Sequence, residues 1–378
     1  MTNIHPFRLA VPQEQLDDLN RRLDTTRWAE RETVDDWSQG TPLAVLRDLV
    51  GYWRSEYDWR RCEAQLNALG QSISEIDGLD IHFLHVRSPQ EGALPLLLTH
   101  GWPGSVAEFL RVAGPLSDPV AHGGRAEDAF HLVIPSLPGY GFSAKPARAG
   151  WGVERIARAW AELMRRLGYD HWVAQGGDWG AFTTYVIGMQ APAGCRGIHL
   201  NMPIGGPTRH ARENPTPEEE RAFERMAYYQ EWDSGYAKQQ QTRPQTLGYG
   251  LVDSPVGLAG WIFEKLHGWS DNGGDTCAVL GRDAVLDNIM LYWLPATGAS
   301  AARLYWESFA RIKPGEITLP AGISVFPKEI TPSPRAWVER RMKNIVHWNE
   351  LPRGGHFAAW EQPHLFVDEL RECFRPMR

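Results

Sequence analysis

Apolar residues recur every three or four positions through the first seventy residues and again in a long central block, and between these stretches they gather in short unbroken runs. The two patterns predict different elements: a spacing near 3.6 marks one face of a helix, and a run of four to eight marks a strand buried on both faces. After Pro12, Leu16, Leu19 and Leu23 form one amphipathic stripe. Leu43, Leu46, Val50 and Trp53 form a second, with Thr41 expected as its N-cap and Pro42 in its first turn. Trp59, Cys62, Leu66 and Leu69 form a third that stops at Gly70. Residues 1–70 thus read as an added helical segment that precedes every predicted strand and stands outside the sheet.

Strands are predicted next, over Ser72–Ile76 and Leu79–Val86, joined by Asp77-Gly78, a dipeptide suited to a tight hairpin turn. Leu94–Thr99 and His131–Pro135 are continuous apolar runs, with a crossover helix expected from Ser105 to Ala113. Val153, Ile156, Trp160, Leu163, Met164 and Leu167 trace a helix ending at Gly168, followed by a short strand, His171–Gln175. This alternation predicts a mostly parallel, doubly wound α/β sheet over residues 71–204.

Residues 205–312 break the alternation and read as a helical lid. Thr216-Pro-Glu-Glu is a capping box, Ser254-Pro255 opens a helix running through Leu258, Ile262, Phe263 and Leu266 to Gly268, and Asp287–Trp293 and Ala299–Ala310 predict two more. The sheet resumes within residues 313–378, at Gly322–Phe326 and Asn344–Trp348, before a last helix from Gln362 through Leu370. There is no internal repeat and no low-complexity tract.

Composition narrows the function. A net charge of -7 and a pI near 6.0 leave no basic stripe for nucleic acid. Cys62, Cys195, Cys277 and Cys373 are scattered, with neither a disulfide framework nor metal-ligand spacing, so reduced buried thiols are expected. The start lacks a signal-peptide pattern and no run is long enough to span a bilayer, which predicts a soluble, cytoplasmic protein without a transmembrane anchor. Seventeen tryptophans suit an aromatic-lined cavity, although most should be ordinary packing residues.

The chemistry is carried by residues 176–180, Gly-Gly-Asp-Trp-Gly, directly after a predicted strand. This is the small-x-nucleophile-x-small pattern of the strand-to-helix elbow in the α/β-hydrolase fold, with Asp178 where a serine enzyme carries its serine. A carboxylate is suited to displacing a leaving group from an sp³ carbon, so epoxides or alkyl halides are the expected substrates, not esters. The resulting ester needs a base. His356 lies in Gly354-Gly-His-Phe-Ala-Ala just past the last strand, in the chain order nucleophile, acid, histidine. Glu329 ends the preceding strand region as the acid that would orient it, with Asp283 and Asp287 as fallback acids in the lid. His100-Gly-Trp-Pro-Gly-Ser105 occupies the oxyanion-loop position, so the amides of Trp102 and Trp179 are expected to face the ester oxygen. An epoxide oxygen also needs a proton donor, and Tyr228, Tyr229, Tyr236, Tyr249, Tyr292 and Tyr305 of the lid all qualify by residue type.

With these motifs, the chain resembles the epoxide hydrolases of the microsomal and juvenile-hormone branch over nearly its whole length. Pro6-Phe-Arg, His100-Gly-Trp-Pro-Gly-Ser, Pro135–Ser143, Gly176-Gly-Asp-Trp-Gly, Asp253–Ala259, Asn288-Ile-Met-Leu-Tyr-Trp, Phe326-Pro-Lys-Glu and Arg353–Ala359 carry the likeness in order. The resemblance implies Asp178 as nucleophile and His356 with Glu329 as the water-activating pair. It also selects Tyr236, in Ser234-Gly-Tyr-Ala-Lys-Gln-Gln, and Tyr305, in Arg303-Leu-Tyr-Trp-Glu, as the acids. It implies an epoxide and water as partners and no metal or organic cofactor, and the chain's aromatic richness favours a hydrophobic epoxide. A haloalkane dehalogenase and a non-catalytic ligand-binding protein on the same fold are the alternatives. The N-terminal segment is expected either to pack on the lid or to clasp a second subunit in a homodimer.

Overall fold

The apolar runs become the middle of a nine-stranded sheet in the computed structural model, which describes residues 4–309 and 311–378. Its strands are β1 (Ile4–Pro6), β2 (Gln71–Ile76), β3 (Leu79–Val86), β4 (Leu94–Thr99), β5 (Phe130–Pro135), β6 (Trp172–Gly176), β7 (Cys195–Leu200), β8 (Ala321–Val325) and β9 (Ile345–Glu350), in the order β1-β2-β3-β5-β4-β6-β7-β8-β9. The first four in that order pair antiparallel, and from β5 onward every pairing is parallel. All six residues of β4 are buried, five of them apolar, as a strand covered on both faces requires. In the β2–β3 turn Asp77 and Gly78 take φ values of 53° and 76°, the left-handed pair that a two-residue hairpin turn requires.

The N-terminal segment contributes α1 (Gln13–Asp24), α2 (Leu43–Ser55) and α3 (Trp59–Ala68). Two expectations are corrected there. The segment is not wholly outside the sheet, because Ile4, His5 and Pro6 pair with Ser74, Ile73 and Ser72 as its edge strand. Thr41 does not cap α2 either: its hydroxyl donates to the Gly260 carbonyl at 3.2 Å, Pro42 takes the cap position, and the Leu43 amide donates to Glu32 Oε2 at 2.9 Å. The segment packs on the lid, the first of its two expected partners.

The crossover after β4 begins as a 3₁₀ turn, Val106–Phe109, and continues as α4 (Leu110–Ser117). Helices α5 (Val153–Arg166) and α6 (Trp179–Gln190) flank β6. Between β7 and β8 the chain forms α7 (Arg209–Glu213), α8 (Pro217–Tyr228), a π turn at Tyr229–Asp233, α9 (Gly235–Thr242), α10 (Pro244–Asp253), α11 (Pro255–Trp269), α12 (Thr276–Leu280), α13 (Arg282–Trp293) and α14 (Gly298–Ser308). Ala310, the expected end of the last lid helix, lies outside the described residues. The capping box at Thr216 forms as expected, with Glu219 as its reciprocal partner. The chain closes with α15 (Arg335–Val338), α16 (Ala358–Glu361) and α17 (Pro363–Phe374). One continuous apolar cluster joins sheet, lid and N-terminal helices, from Leu19 and Trp53 through Leu97 and Ile198 to Leu286.

Candidate active site

The sharp turn from β6 into α6 fixes Asp178 at φ 51° and ψ -126°, a left-handed-side conformation that side-chain-bearing residues avoid, at a cost of about 1–3 kcal/mol. Glycine makes the turn possible. A methyl group on Gly176 would collide with the Gly180 carbonyl, and one on Gly180 would collide with the Thr99 carbonyl of β4. Gly101 is under the same constraint, since a methyl group there would overlap the Asp178 carboxylate itself.

The two carboxylate oxygens of Asp178 have different surroundings. Oδ1 accepts a hydrogen bond from the Trp102 amide at 2.7 Å. Oδ2 lies 3.4 Å from His356 Nε2, a contact without hydrogen-bond geometry. Of the two expected amides, then, the structure puts Trp102 on the carboxylate, whereas Asp178 makes no capping bond to the helix that Trp179 begins.

His356 Nδ1 lies 2.8 Å from Glu329 Oε1, which also accepts from the Ile330 amide at 2.7 Å. Both side chains are buried. Burial alone would lower the His356 pKa, but the charges of Glu329 and Asp178 outweigh it and hold the imidazole well above its ordinary value. The fallback acids are elsewhere: Asp283 accepts from the Tyr52 hydroxyl at 2.8 Å, and Asp287 pairs with Arg61 at 2.7 Å and accepts from the Tyr57 hydroxyl at 2.7 Å.

The loops that carry His356 and Glu329 are held by residues that sequence reading missed. The Lys328 amide donates to the Gly354 carbonyl at 3.1 Å, joining the two loops, and the His356 amide donates to the Trp269 carbonyl at 2.9 Å. Glu361 accepts from the Phe357 amide at 2.9 Å and the Asp271 amide at 2.6 Å, while Asp271 accepts from the Gly354 amide at 3.0 Å. Arg225 of α8 donates to the backbone carbonyls of Pro327 and Glu329. No local motif announces these braces, because all but the Glu361–Phe357 bond span a long sequence separation.

Among the six lid tyrosines the structure makes a clear division. Tyr228 and Tyr249 are exposed, and the Tyr292 hydroxyl is committed to the Gly104 carbonyl at 2.6 Å. Tyr236 and Tyr305 are buried over the Asp178 side of the sheet, with Trp102 stacked on Tyr236 at 4.8 Å between ring centroids and edge-on to Tyr305 at 5.9 Å. Trp179 meets Tyr305 edge-on at 4.8 Å, and Trp269 lies against both Tyr236 and His356 at 5.1 Å. The Tyr305 hydroxyl is buried without a hydrogen-bond partner, and that of Tyr236 reaches only Tyr229 OH, at 3.0 Å. Burial, with Asp178 among the charges acting on each, pushes both phenols well above their ordinary pKa, so they remain protonated donors. The arrangement can therefore present a carboxylate to a bound electrophile, donate to an oxygen leaving it, and activate water with a histidine.

The family model described as the epoxide hydrolase N terminus matches residues 4–109, and that of the alpha/beta hydrolase fold matches residues 95–248. A relative from Stigmatella aurantiaca (strain DW4/3-1) is 57% identical, over 99% of this chain and 86% of its own length. Epoxide hydrolase 1 of Oryctolagus cuniculus is 34% identical, over 97% of this chain and 88% of its own. The crystal structure of juvenile hormone epoxide hydrolase from the silkworm Bombyx mori is similar with a TM-score of 0.90 at 27% identity, covering 100% of this chain and 95% of that one.

Proposed function

Because this chain belongs to the epoxide hydrolase family of the α/β-hydrolase fold, in its microsomal and juvenile-hormone branch, and is an epoxide hydrolase, we propose that it converts hydrophobic epoxides to vicinal diols in two steps on Asp178. Tyr236 and Tyr305 hydrogen-bond the epoxide oxygen. Asp178 Oδ2, free of the amide that holds Oδ1, attacks a ring carbon from behind; the carbon–oxygen bond of the ring breaks, and the oxygen takes a proton from one tyrosine.

Water then hydrolyses the ester. His356 Nε2 removes one proton while the water oxygen bonds to Asp178 Cγ, and the charge that develops on Oδ1 is held by the Trp102 amide, joined by that of Trp179. The bond between Cγ and Oδ2 breaks, the departing alkoxide takes the proton from His356, and the proton left on the new carboxyl restores the tyrosine. The diol thus carries an oxygen that belonged to Asp178. Glu329 fixes the tautomer of His356 and stabilises its charged form.

The observation that carries this reading is the division of labour around one carboxylate, with an amide on Oδ1, an imidazole at Oδ2, and two unionised phenols above. The aromatic walls formed by Trp102, Trp179, Trp261 and Trp269 favour an apolar substrate. The test is diol formation from a simple aryl epoxide, with halide release from a chloroalkane followed in parallel. Wild type should form diol and release no halide, and Asp178→Ala should lose at least about 10⁴-fold in rate while keeping its fold. Diol formation at the wild-type rate by Asp178→Ala would contradict the assignment.

A further inference from the structure

The two-step scheme leaves one acidic group beside the reacting atoms without a task. Glu108 lies on the 3₁₀ turn after β4, and with Thr99, Gly101, Asp178, Asn201 and His356 it lines a cavity of about 10 Å³, which no lid tyrosine touches. A single buried water needs roughly that much space and two to four polar partners. Two such partners stand unused in the wall, because Thr99 Oγ1 and His356 Nε2 are both buried without a hydrogen bond.

The local backbone is shaped around Glu108. A methyl group on Gly104 would occupy the place of the Glu108 carboxyl, so this glycine leaves the room in which the side chain lies. Burial raises the Glu108 pKa to about 8, with His356 pulling it down and Asp178 pushing it up. This holds the carboxyl toward its uncharged form and limits the negative charge it adds beside Asp178 and Glu329. An uncharged carboxyl still offers a carbonyl oxygen as acceptor.

A water poised for ester hydrolysis must give one hydrogen to His356 Nε2, point a lone pair at Asp178 Cγ, and place its second hydrogen on an acceptor. Asn201 Oδ1 already accepts from the Gln175 amide at 2.7 Å, and the unpartnered Thr99 hydroxyl can serve the water as a donor to its second lone pair. We infer that Glu108 holds the hydrolytic water in this cavity, its carboxyl accepting the hydrogen that His356 does not remove. The new bond is between the water oxygen and Cγ, the transferred proton goes to Nε2, and Glu108 exchanges no proton. The inference rests on the two-step reading above and assigns the water's position within it.

The test separates the half-reactions by rapid mixing under single-turnover conditions, following ester formation and decay in wild type, Glu108→Leu and Glu108→Gln. Glu108→Leu should alkylate at the wild-type rate but hydrolyse about 10- to 100-fold more slowly, so that the covalent adduct accumulates. Glu108→Gln, whose amide carbonyl accepts the same hydrogen, should recover most of the loss. Adduct decay at the wild-type rate in Glu108→Leu, or an equal fall in both phases, would overturn the inference. Should the leucine variant not fold, Glu108→Asp carries the test: its shorter reach must slow hydrolysis alone, and wild-type decay there would equally overturn it. His356→Gln serves as the reference. No adduct in that variant would remove the two-step reading itself, whereas an adduct there with unimpaired decay in the Glu108 variants would remove only the water assignment.

Discussion

At the scale of single residues, His356 must be neutral to act as a base, yet Glu329 and Asp178 raise its pKa against the effect of burial. In the ester form Asp178 is uncharged, so one of the two supporting charges is lost and the His356 pKa falls toward the value that Glu329 alone sustains. Hydrolysis should therefore fail as pH drops through the pKa of the alkylated enzyme, and that acidic limb should lie below the pKa titrated by NMR for His356 in the resting enzyme. Glu329→Gln should move the limb further down; a limb at or above the resting pKa would contradict this account. Asp178, Glu329 and His356 could be found in the sequence because each follows a strand and their chain order is fixed by the sheet. The tyrosines could not be chosen that way. Six share one residue type on helices of variable placement, and only resemblance singled out Tyr236 and Tyr305, the two that the structure buries beside Trp102.

Between elements, the lid is fastened to the N-terminal segment by a buried carboxylate. Asp287 of α13 pairs with Arg61 and accepts from Tyr57, while Arg22 of α1 donates to the Asp253 carbonyl at the end of α10, at 2.7 Å. Asp287→Ala would leave the Tyr57 hydroxyl without its partner and Arg61 with Asp283 alone, 3.6 Å away. Arg61 is 41% exposed and can return to water, so the loss should be about 2–3 kcal/mol, below the about 3–5 of a fully buried pair. Urea unfolding should show it as a lower midpoint with an unchanged slope; an unchanged midpoint would mean the clamp contributes nothing. Elements with strong periodicity, such as α5 and β4, could be read directly. β1 is three residues long, too short to show alternation, and it exists because β2 offers it an edge. β7 was hidden by Arg196 and His199, the latter buried in a polar network with Ser324, which in turn bonds Glu369 of α17. Pattern reading sees such a histidine as an interruption, whereas partners on two other elements make it part of the core.

For the molecule as a whole, the N-terminal helices share one apolar cluster with the sheet and the lid. The pattern of polar and apolar positions had suggested an appendage, and what it could not register is that Leu19, Trp53 and Cys62 complete the same core as Leu97 and Leu286. The tryptophan count was legible only in part: Trp160, Trp172, Trp337 and Trp360 are fully buried packing residues, while Trp102, Trp179 and Trp269 pack against Tyr236, Tyr305 and His356 beside Asp178, and Trp261 meets Trp102 edge-on. No helix among the described residues is long and apolar enough to cross a membrane. Central to the proposed function is that the substrate becomes covalently bound to Asp178 before water reaches it. Intact-protein and peptide mass spectrometry of His356→Gln mixed with an aryl epoxide tests that claim most directly. The account predicts a stable mass increase equal to the whole epoxide, on the peptide that contains Asp178 and absent from the double variant carrying Asp178→Asn; diol released at the wild-type rate with no adduct, or an adduct on any other residue, would contradict it.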